Sequence, residues 1–202
     1  MATDGKRLSF VKNVCGNTNN NIKVVIPAKS IEYILKIFDF NEDKNIKFYV
    51  NNNLMTFESN NLIFKTNLID GTFPDYEKIL KWNKISTIAI NTEEMLSATK
   101  QISTITERKF SFNDGSAMKL NFEKNKIVVL SNCSGICFGE TEIISDYVGD
   151  SFSITVNPDY FKDILQNIEN EEFEFIYCGQ KQPVVIKQKD INNFICLIMP
   201  TL

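Results

Sequence analysis

The chain has 202 residues, a formal net charge of −3 and no histidine. Without histidine, Ser-His-Asp and Cys-His nucleophiles and the common zinc sites are excluded. The small negative charge excludes a globally basic nucleic-acid binder but leaves a local basic surface open. No run of about 18 apolar residues is present, so we expect no membrane partner. The start, MATDGKRLSF, lacks the hydrophobic region of a signal peptide, and we expect a cytoplasmic protein.

The cysteines number five and show no spacing typical of a disulfide framework, which indicates free thiols in a reducing compartment. They are Cys15, Cys133, Cys137, Cys178 and Cys196. Cys133 and Cys137 have no second cysteine pair to complete a metal site, so we favour free thiols there as well.

Residues 22–80 predict a strand, a helix and then three strands in a meander. The strand IKVVI precedes Pro27, which suits the first turn of a helix. The apolar residues that follow share one helical face, and they are Ile31, Ile34, Leu35 and Phe38. The meander strands are predicted in IKFYV, LMTFES and LIFKTNLI, with polar turns between them.

The same order of elements recurs in residues 86–150 and 151–202. In the first of these repeats the strand STIAIN leads to a helix capped by Asn91 or Thr92. Its inward residues are predicted to be Met95, Leu96 and Ile102. The helix of the last repeat has Asn157 as its cap, and its apolar face contains Phe161, Ile164, Leu165 and Ile168. We therefore expect an α+β fold of repeated βαβββ units.

The three repeats predict two domains. Residues 86–202 form one domain of two repeats, which follows a linker at residues 82–85. Residues 1–81 belong to the other domain, in which the repeat at 22–80 has no partner repeat. The opening MATDGKRLSFVKN is interpreted as the last strand of that absent partner.

Lysines lie on the polar faces of the predicted helices: Lys29, Lys36, Lys100 and Lys162. Charged faces of this kind are usually exposed to solvent and need no partner. The alternative is that lysines of several similar helices line one surface and bind phosphates, independently of sequence and sensitively to salt.

The segment LIDGTFPDYEKIL contains two turn signals, Asp-Gly and Pro-Asp. One chemical interpretation groups Asp4, Asp70 and Asp75 as a magnesium cluster for a phosphoryl-transfer enzyme or nuclease, because hard cations prefer oxygen ligands. Each aspartate also stands beside glycine or proline, a turn context that requires no metal.

Seven motifs together resemble one family. In chain order they are ATDGKRL, VVIPAKS, LIDGTFPDYEKIL, STIAINTEEML, NPDYFKDIL, QPVVIK and LIMPTL. Their order is similar to that of the bacterial DNA polymerase III beta subunit, the sliding clamp, over essentially the whole chain. The resemblance implies the DNA clamp fold, with antiparallel sheets outside and helices on the inner face. It also implies that this chain corresponds to the second half of the middle domain and the whole C-terminal domain.

The resemblance implies a DNA polymerase processivity factor that is not an enzyme and needs no cofactor. Two full-length chains would close as a homodimer around double-stranded DNA, without sequence specificity. The four lysines named above would face the DNA, and Thr104 and Ile105 would lie near the interface between chains. Because this chain lacks the N-terminal domain, we expect it to be monomeric on its own.

The resemblance also implies a pocket between the middle and C-terminal domains for peptides resembling Gln-x-Leu-x-Phe. Such peptides belong to the DNA polymerase III alpha subunit, the clamp loader delta subunit, and other polymerases and repair proteins. Carried over by motif, the pocket residues are Thr3, Gly5, Lys6, Arg7, Leu8, Pro74, Lys78, Ile79, Tyr160, Pro183, Leu197, Ile198, Met199, Pro200, Thr201 and Leu202. Apolar residues there would bind the leucine and phenylalanine of the peptide.

Two residues of the predicted pocket depart from the family pattern. Lys6 stands where many members have histidine, and Lys78 stands where arginine is frequent, so a planar guanidinium is replaced by a point charge. The ending MPTL is also shorter than the common one.

Overall fold

The computed structural model describes residues 1–13, 22–38, 46–59, 62–105, 117–133, 137–188 and 194–201. The chain divides into two compact units. The larger unit consists of Met1–Val14 and Trp82–Leu202, and the smaller unit consists of Cys15–Lys81. Within the described ranges, no helix combines the length and the hydropathy needed to cross a membrane.

The described elements alternate between strands and short helices. In chain order they are β1 (Ala2–Thr3), β2 (Arg7–Val11), α1 (Ala28–Ile37), β3 (Lys47–Asn51), β4 (Leu54–Ser59), β5 (Leu62–Asn67), α2 (Tyr76–Ile79), β6 (Ser86–Asn91), α3 (Thr92–Ile105), β7 (Met118–Glu123), β8 (Lys126–Cys133), β9 (Cys137–Ile144), β10 (Phe152–Val156), α4 (Pro158–Leu165), β11 (Glu172–Tyr177), β12 (Val184–Gln188) and β13 (Phe194–Ile198).

The larger unit contains two antiparallel sheets. The six-stranded sheet has the order β1-β2-β13-β12-β11-β6, and the four-stranded sheet has the order β10-β7-β8-β9. The two predicted repeats are therefore present as β6-α3-β7-β8-β9 and β10-α4-β11-β12-β13, which confirms the α+β class. The first strand of each repeat pairs with the second strand of the other repeat: β6 pairs with β11, and β10 pairs with β7.

The helices of the larger unit begin as their sequences predict. Asn91 Oδ1 accepts a hydrogen bond from the Glu94 N–H at 3.0 Å, while Asn157 Oδ1 caps α4. Met95 and Ile102 are 0% and 2% exposed, so the predicted inward face of α3 is confirmed. This face belongs to one core cluster with the apolar face of α4, and α3 packs against α4.

The smaller unit is a three-stranded sheet, β3-β4-β5, with α1 linked to β5 by a hydrogen bond of 2.7 Å between the Ser30 and Thr66 hydroxyls. The strand predicted at IKVVI is wrong. Residues 22–27 are not a strand. One backbone hydrogen bond is described between them and the segment that follows β5: the Ile69 N–H donates to the Val25 carbonyl at 2.9 Å. In the larger unit the equivalent strands, β6 and β10, pair with the other repeat of their domain, and the described part of the smaller unit contains no second repeat.

The thiol prediction is confirmed for Cys178 and Cys196, which are free and buried. Burial raises the pKa of both thiols and so favours their protonated form. Cys15 lies outside the described residues, as do the side chains of Cys133 and Cys137.

The boundaries expected for the domains, 1–81 and 86–202 with a linker at 82–85, stay a prediction. The division by compactness assigns Met1–Val14 to the larger unit. The reason is local, since β2 pairs along its whole length with β13 and extends the sheet of the last repeat.

Candidate functional site

The end of the six-stranded sheet brings β2, from the start of the chain, beside β13 and β12 from its end. In the β2–β13 register Arg7 is opposite Ile198, and the next row is closed by a hydrogen bond of 2.9 Å from the Met199 N–H to the Lys6 carbonyl. Ile198 is in turn opposite Val184 of β12. Because the strands are antiparallel, Pro183, which precedes Val184, lies in the same row as Met199.

The turn between β1 and β2 is fixed by its own side chains. Asp4 Oδ1 accepts hydrogen bonds from the backbone N–H groups of Lys6 and Arg7, both at 3.0 Å. The Thr3 hydroxyl donates to the Arg7 carbonyl at 2.7 Å and accepts from the Gly5 N–H at 3.2 Å. Gly5 has a φ of +86°, which favours glycine at this position. The turn is therefore an Asx-type structure that presents Lys6 and Arg7 in a defined geometry.

Arg7 joins this turn to helix α4. Its Nε lies 3.0 Å from Asp4 Oδ2, and its Nη1 lies 2.7 Å from Asp163 Oδ2. The guanidinium carbon also lies 4.4 Å from the centre of the Tyr160 ring, a cation–π contact. Both α4 residues are held in place because Asn157 caps the helix. Arg7 thus orients Tyr160 and has two carboxylates as partners.

The charges of Asp4, Arg7 and Asp163 stabilise one another. Partial burial alone would raise the pKa of Asp4, but the N–H groups of Lys6 and Arg7, followed by the Arg7 guanidinium, hold it below its ordinary value. Burial alone would lower the pKa of Arg7, and its bonds to Asp163 and Asp4 raise it instead. Arg7 is therefore a permanent cation here.

The lowered pKa of Asp4 predicts a pH dependence. A carboxyl whose pKa is lower in the folded state stabilises the fold above its unfolded pKa of about 3.9, and this stabilisation is lost as the pH falls through the folded pKa. We expect NMR titration of the Asp4 carboxyl to give a pKa below the ordinary value. In the Arg7→Ala variant this pKa should move upward, and an unchanged pKa would contradict the contribution assigned to the Arg7 guanidinium.

The predicted pocket residues of the larger unit differ in their exposure. Leu8, Leu197 and Ile198 are at most 4% exposed, and Ile198 belongs to the core cluster. Met199 is 45% exposed, so among the described residues of the tail it is the large apolar side chain that a ligand can reach. The remaining predicted residues of this unit are half-buried or exposed, and they are Thr3, Gly5, Lys6, Arg7, Tyr160, Pro183, Pro200 and Thr201.

Three predicted residues belong to the smaller unit, where Tyr76–Ile79 of the segment FPDYEKIL form the short helix α2. Pro74, Lys78 and Ile79 are all exposed. Lys78 Nζ lies 3.2 Å from Asp75 Oδ2 in an exposed ion pair. Leu202 lies outside the described residues.

The structure also assigns a role to residues that the sequence interpretation missed. Asp163 has no part in the predicted pocket, and Asp4 belongs only to the alternative metal cluster. Both instead bind Arg7. The turn chemistry of Asp4-Gly5 could have indicated the first contact, whereas the second joins residues 156 positions apart and has no local signal.

No group of carboxylates, cysteines or histidines suited to a metal is present among the described residues. Both oxygens of Asp4 accept hydrogen bonds from the turn and from Arg7, and Asp75 is paired with Lys78. Each of these contacts satisfies a carboxylate without a metal ion. No contact among the described residues therefore favours the magnesium interpretation.

The predicted DNA-facing lysines are not equivalent. Lys29 and Lys36 on α1 and Lys100 on α3 are exposed. Lys162 Nζ instead lies 3.1 Å from Asp159 Oδ1 and is partly buried. Such a pair reduces the charge that Lys162 can offer to a phosphate.

The residues predicted near an interface lie at the end of α3. Thr104 is exposed, and its hydroxyl donates to the Gln101 carbonyl at 2.6 Å. Ile105 is half-buried and covers Gly139 of β9, where a Cβ would overlap its Cδ1. This close approach explains a glycine within β9.

Comparison with known proteins gives one consistent family. Residues 1–75 match the family model of the DNA polymerase III beta subunit, central domain, and residues 77–202 match that of its C-terminal domain. The beta sliding clamp of Rickettsia bellii is 31% identical over 209 residues, covering 98% of this chain and 54% of that protein. That of Chlamydia muridarum is 25% identical, covering 99% of this chain and 52% of its own length. The chain spans about half the length of these curated relatives.

Solved clamp structures share the fold of the whole chain. The DNA polymerase sliding clamp of Bacillus subtilis gives a TM-score of 0.89 at 25% identity, covering 100% of this chain and 52% of that one. A clamp of Bartonella birtlesii, solved bound to griselimycin, gives a TM-score of 0.89 at 24% identity, covering 100% and 53%.

Proposed function

Because the chain belongs to the DNA polymerase III beta subunit family, the sliding clamps, we propose that it acts as the partner-docking part of a DNA polymerase processivity factor. In this role it is non-catalytic: it tethers the polymerase to DNA by binding, and it requires no cofactor. The proposed location is the cytoplasm, where replication proteins of this kind work.

The observation that carries the docking role is the cluster around Arg7 at the end of the six-stranded sheet. An aromatic ring, Tyr160, is held against a cation, and the exposed Met199 lies in the row beside Lys6. Pre-ordered side chains of this kind reduce the entropy lost when a peptide binds. A flexible methionine adapts to the apolar anchors of different peptides.

The partners proposed for this surface carry Gln-x-Leu-x-Phe-like peptides. They are the alpha subunit of DNA polymerase III, the delta subunit of the clamp loader, and other polymerases and repair proteins. Pro74, Lys78 and Ile79 of the smaller unit are proposed to take part in the same docking. The exposure of all three is compatible with a ligand contact.

We also propose that a protein of the length of its relatives would close as a homodimeric ring around double-stranded DNA, with Thr104 and Ile105 near the contact between chains. The exposed Lys29, Lys36 and Lys100 would then contact phosphates, and Lys162 would contribute less because Asp159 is its partner. Such contacts read no base sequence.

Peptide titration tests the docking role. A fluorescent Gln-Leu-Ser-Leu-Phe peptide is titrated with the chain and its anisotropy is followed. We expect saturable binding that becomes about tenfold weaker in the double variant Met199→Ala, Pro200→Ala, since a few apolar anchors carry most of the affinity of a peptide site.

The matched control is Ile144→Ala, which truncates an apolar side chain that is 88% exposed in the four-stranded sheet. It should leave the affinity unchanged. If the folded native chain does not bind the peptide, or if the control and the double variant weaken binding equally, the docking site proposed here is wrong.

A further inference from the structure

The end of the six-stranded sheet that carries Met199 has further segments beside the β1–β2 turn. β6 begins opposite the end of β11, and the Ile85 N–H donates to the Tyr177 carbonyl at 2.9 Å. The turn between β11 and β12 lies beside Ile85, because a Cβ added at Gly179 would lie 3.8 Å from Ile85 Cδ1. Four segments therefore meet at this end of the sheet: the β1–β2 turn and residues 82–85, 178–183 and 199–201.

An apolar strip crosses this end of the sheet. Continuing the register of the paired strands by one step places five residues in one row, and they are Ile85, Cys178, Pro183, Met199 and Lys6. Cys178 is buried, whereas Pro183 is half-buried and Met199 and Ile85 are 45% and 64% exposed. We call Ile85, Pro183 and Met199 the apolar strip. Ile85 lies in the expected linker and is not one of the predicted pocket residues.

Exposed lysines border the apolar strip. Lys6 ends the row, Lys181 lies in the turn between β11 and β12, and Lys84 precedes β6. We call Lys6, Lys84 and Lys181 the lysine rim. Of the residues in the four segments, all of which the structure describes, only Asp4 is a carboxylate, and its oxygens are bound by the turn and by Arg7. This end of the sheet is therefore positive, although the whole chain has a net charge of −3.

The width of this end suits a short extended peptide. From β6 to β2 there are four strand spacings, which amount to about 19 Å at about 4.8 Å each. An extended peptide covers that distance with about six residues, since each residue spans about 3.3 Å. A five-residue motif with its flanking residues would therefore reach lysines on both sides of Met199. Apolar anchors suit the strip, and carboxylates on the flanks suit the lysines.

We propose that this end of the sheet selects docking peptides that carry carboxylates beside their apolar anchors. Ile85 is an additional apolar contact, and the lysine rim supplies the charge selectivity. The inference rests on the proposed docking function and adds the chemistry of the partner to it. The apolar strip between the lysines favours a peptide over a nucleic acid, because phosphate binding requires positive charge but no apolar strip.

Titration of three peptides of equal length tests the inference. Each contains Gln-Leu-Ser-Leu-Phe, flanked on both sides by two serines, two glutamates or two lysines, and carries the same fluorophore. At about 50 mM salt we expect the glutamate-flanked peptide to bind about tenfold more tightly than the serine-flanked peptide, and the lysine-flanked peptide to bind more weakly than either. At about 500 mM salt the preference should fall below about twofold, because salt screens exposed charges.

Two double variants locate the selectivity. Lys84→Gln with Lys181→Gln should reduce the preference for glutamate over serine flanks from about tenfold to about threefold, since Lys6 remains. The matched control is Lys119→Gln with Lys124→Gln, which removes two exposed lysines from β7 and the turn that follows it. It should keep the full preference. Ile85→Ser should weaken the serine- and glutamate-flanked peptides by the same factor, because an apolar contact does not read the charge of the flanks.

The outcomes separate this inference from the docking function. Equal affinities of the serine- and glutamate-flanked peptides at low salt would overturn the inference and leave the docking function standing. An equal loss of preference in the two double variants would do the same. A glutamate-flanked peptide with alanines in place of both leucines and the phenylalanine should bind poorly, and tight binding would overturn the inference, since the lysines would then attract any polyanion. If none of the peptides binds, the docking function itself is wrong.

Discussion

Replacing Phe122 by alanine is expected to lower the free energy of unfolding of the larger unit by about 4 kcal/mol, within the range for buried phenylalanines. Phe122 is 0% exposed, and its ring stacks on that of Phe152 with centroids 4.5 Å apart. It also lies 4.8 Å from the ring of Phe175 and contacts Tyr147 edge to face. Because Phe122 belongs to one repeat and Phe152 and Phe175 to the other, the truncation opens a cavity where the repeats join.

The measurement is urea unfolding followed by the fluorescence of Trp82, the single tryptophan, which lies in the larger unit. The matched control is Phe138→Ala, the same substitution at a phenylalanine that is 63% exposed. It should change the free energy by no more than about 0.5 kcal/mol. Similar losses in the two variants would contradict the view that the shared aromatic cluster joins the repeats.

The fold was predictable from sequence wherever a repeat is complete. The helical spacing identified the buried faces of α3 and α4, and Asn91 and Asn157 identified where those helices begin. The same reasoning failed at residues 22–27, although their composition favours a strand. A strand requires a neighbour, and that neighbour would come from a second repeat, which is tertiary information that local propensity does not contain.

The candidate site was predictable only in part. The resemblance named Arg7, Tyr160 and Met199, but it did not show that Leu197 and Ile198 are buried. Nor did it indicate Asp163. The ion pair of this carboxylate with Arg7 depends on how α4 lies against the β1–β2 turn. Contacts between distant segments follow from packing, so spacing in the sequence cannot reveal them.

Arg7→Ala is expected to weaken binding of the Gln-Leu-Ser-Leu-Phe peptide by about thirtyfold, or about 2 kcal/mol, as for the central residues of other interfaces. Two effects combine. Tyr160 loses the guanidinium that lies 4.4 Å from its ring, and Asp4 and Asp163 are left without their shared cation. Arg7→Lys should give an intermediate loss, because one ammonium group cannot reproduce the planar fork that reaches both carboxylates and the ring.

The chain offers a matched control in Lys126, which also lies between two carboxylates, 2.7 Å from Glu142 and 3.7 Å from Glu123. Lys126→Ala removes the same net charge from the same unit without touching Tyr160, so it should leave peptide affinity unchanged. If Arg7→Ala and Lys126→Ala weaken binding equally, Arg7 acts only through the overall charge. If Arg7→Ala binds as well as the native chain, the ordered Tyr160 ring is not part of the docking surface, and the peptide relies on the Met199 segment alone.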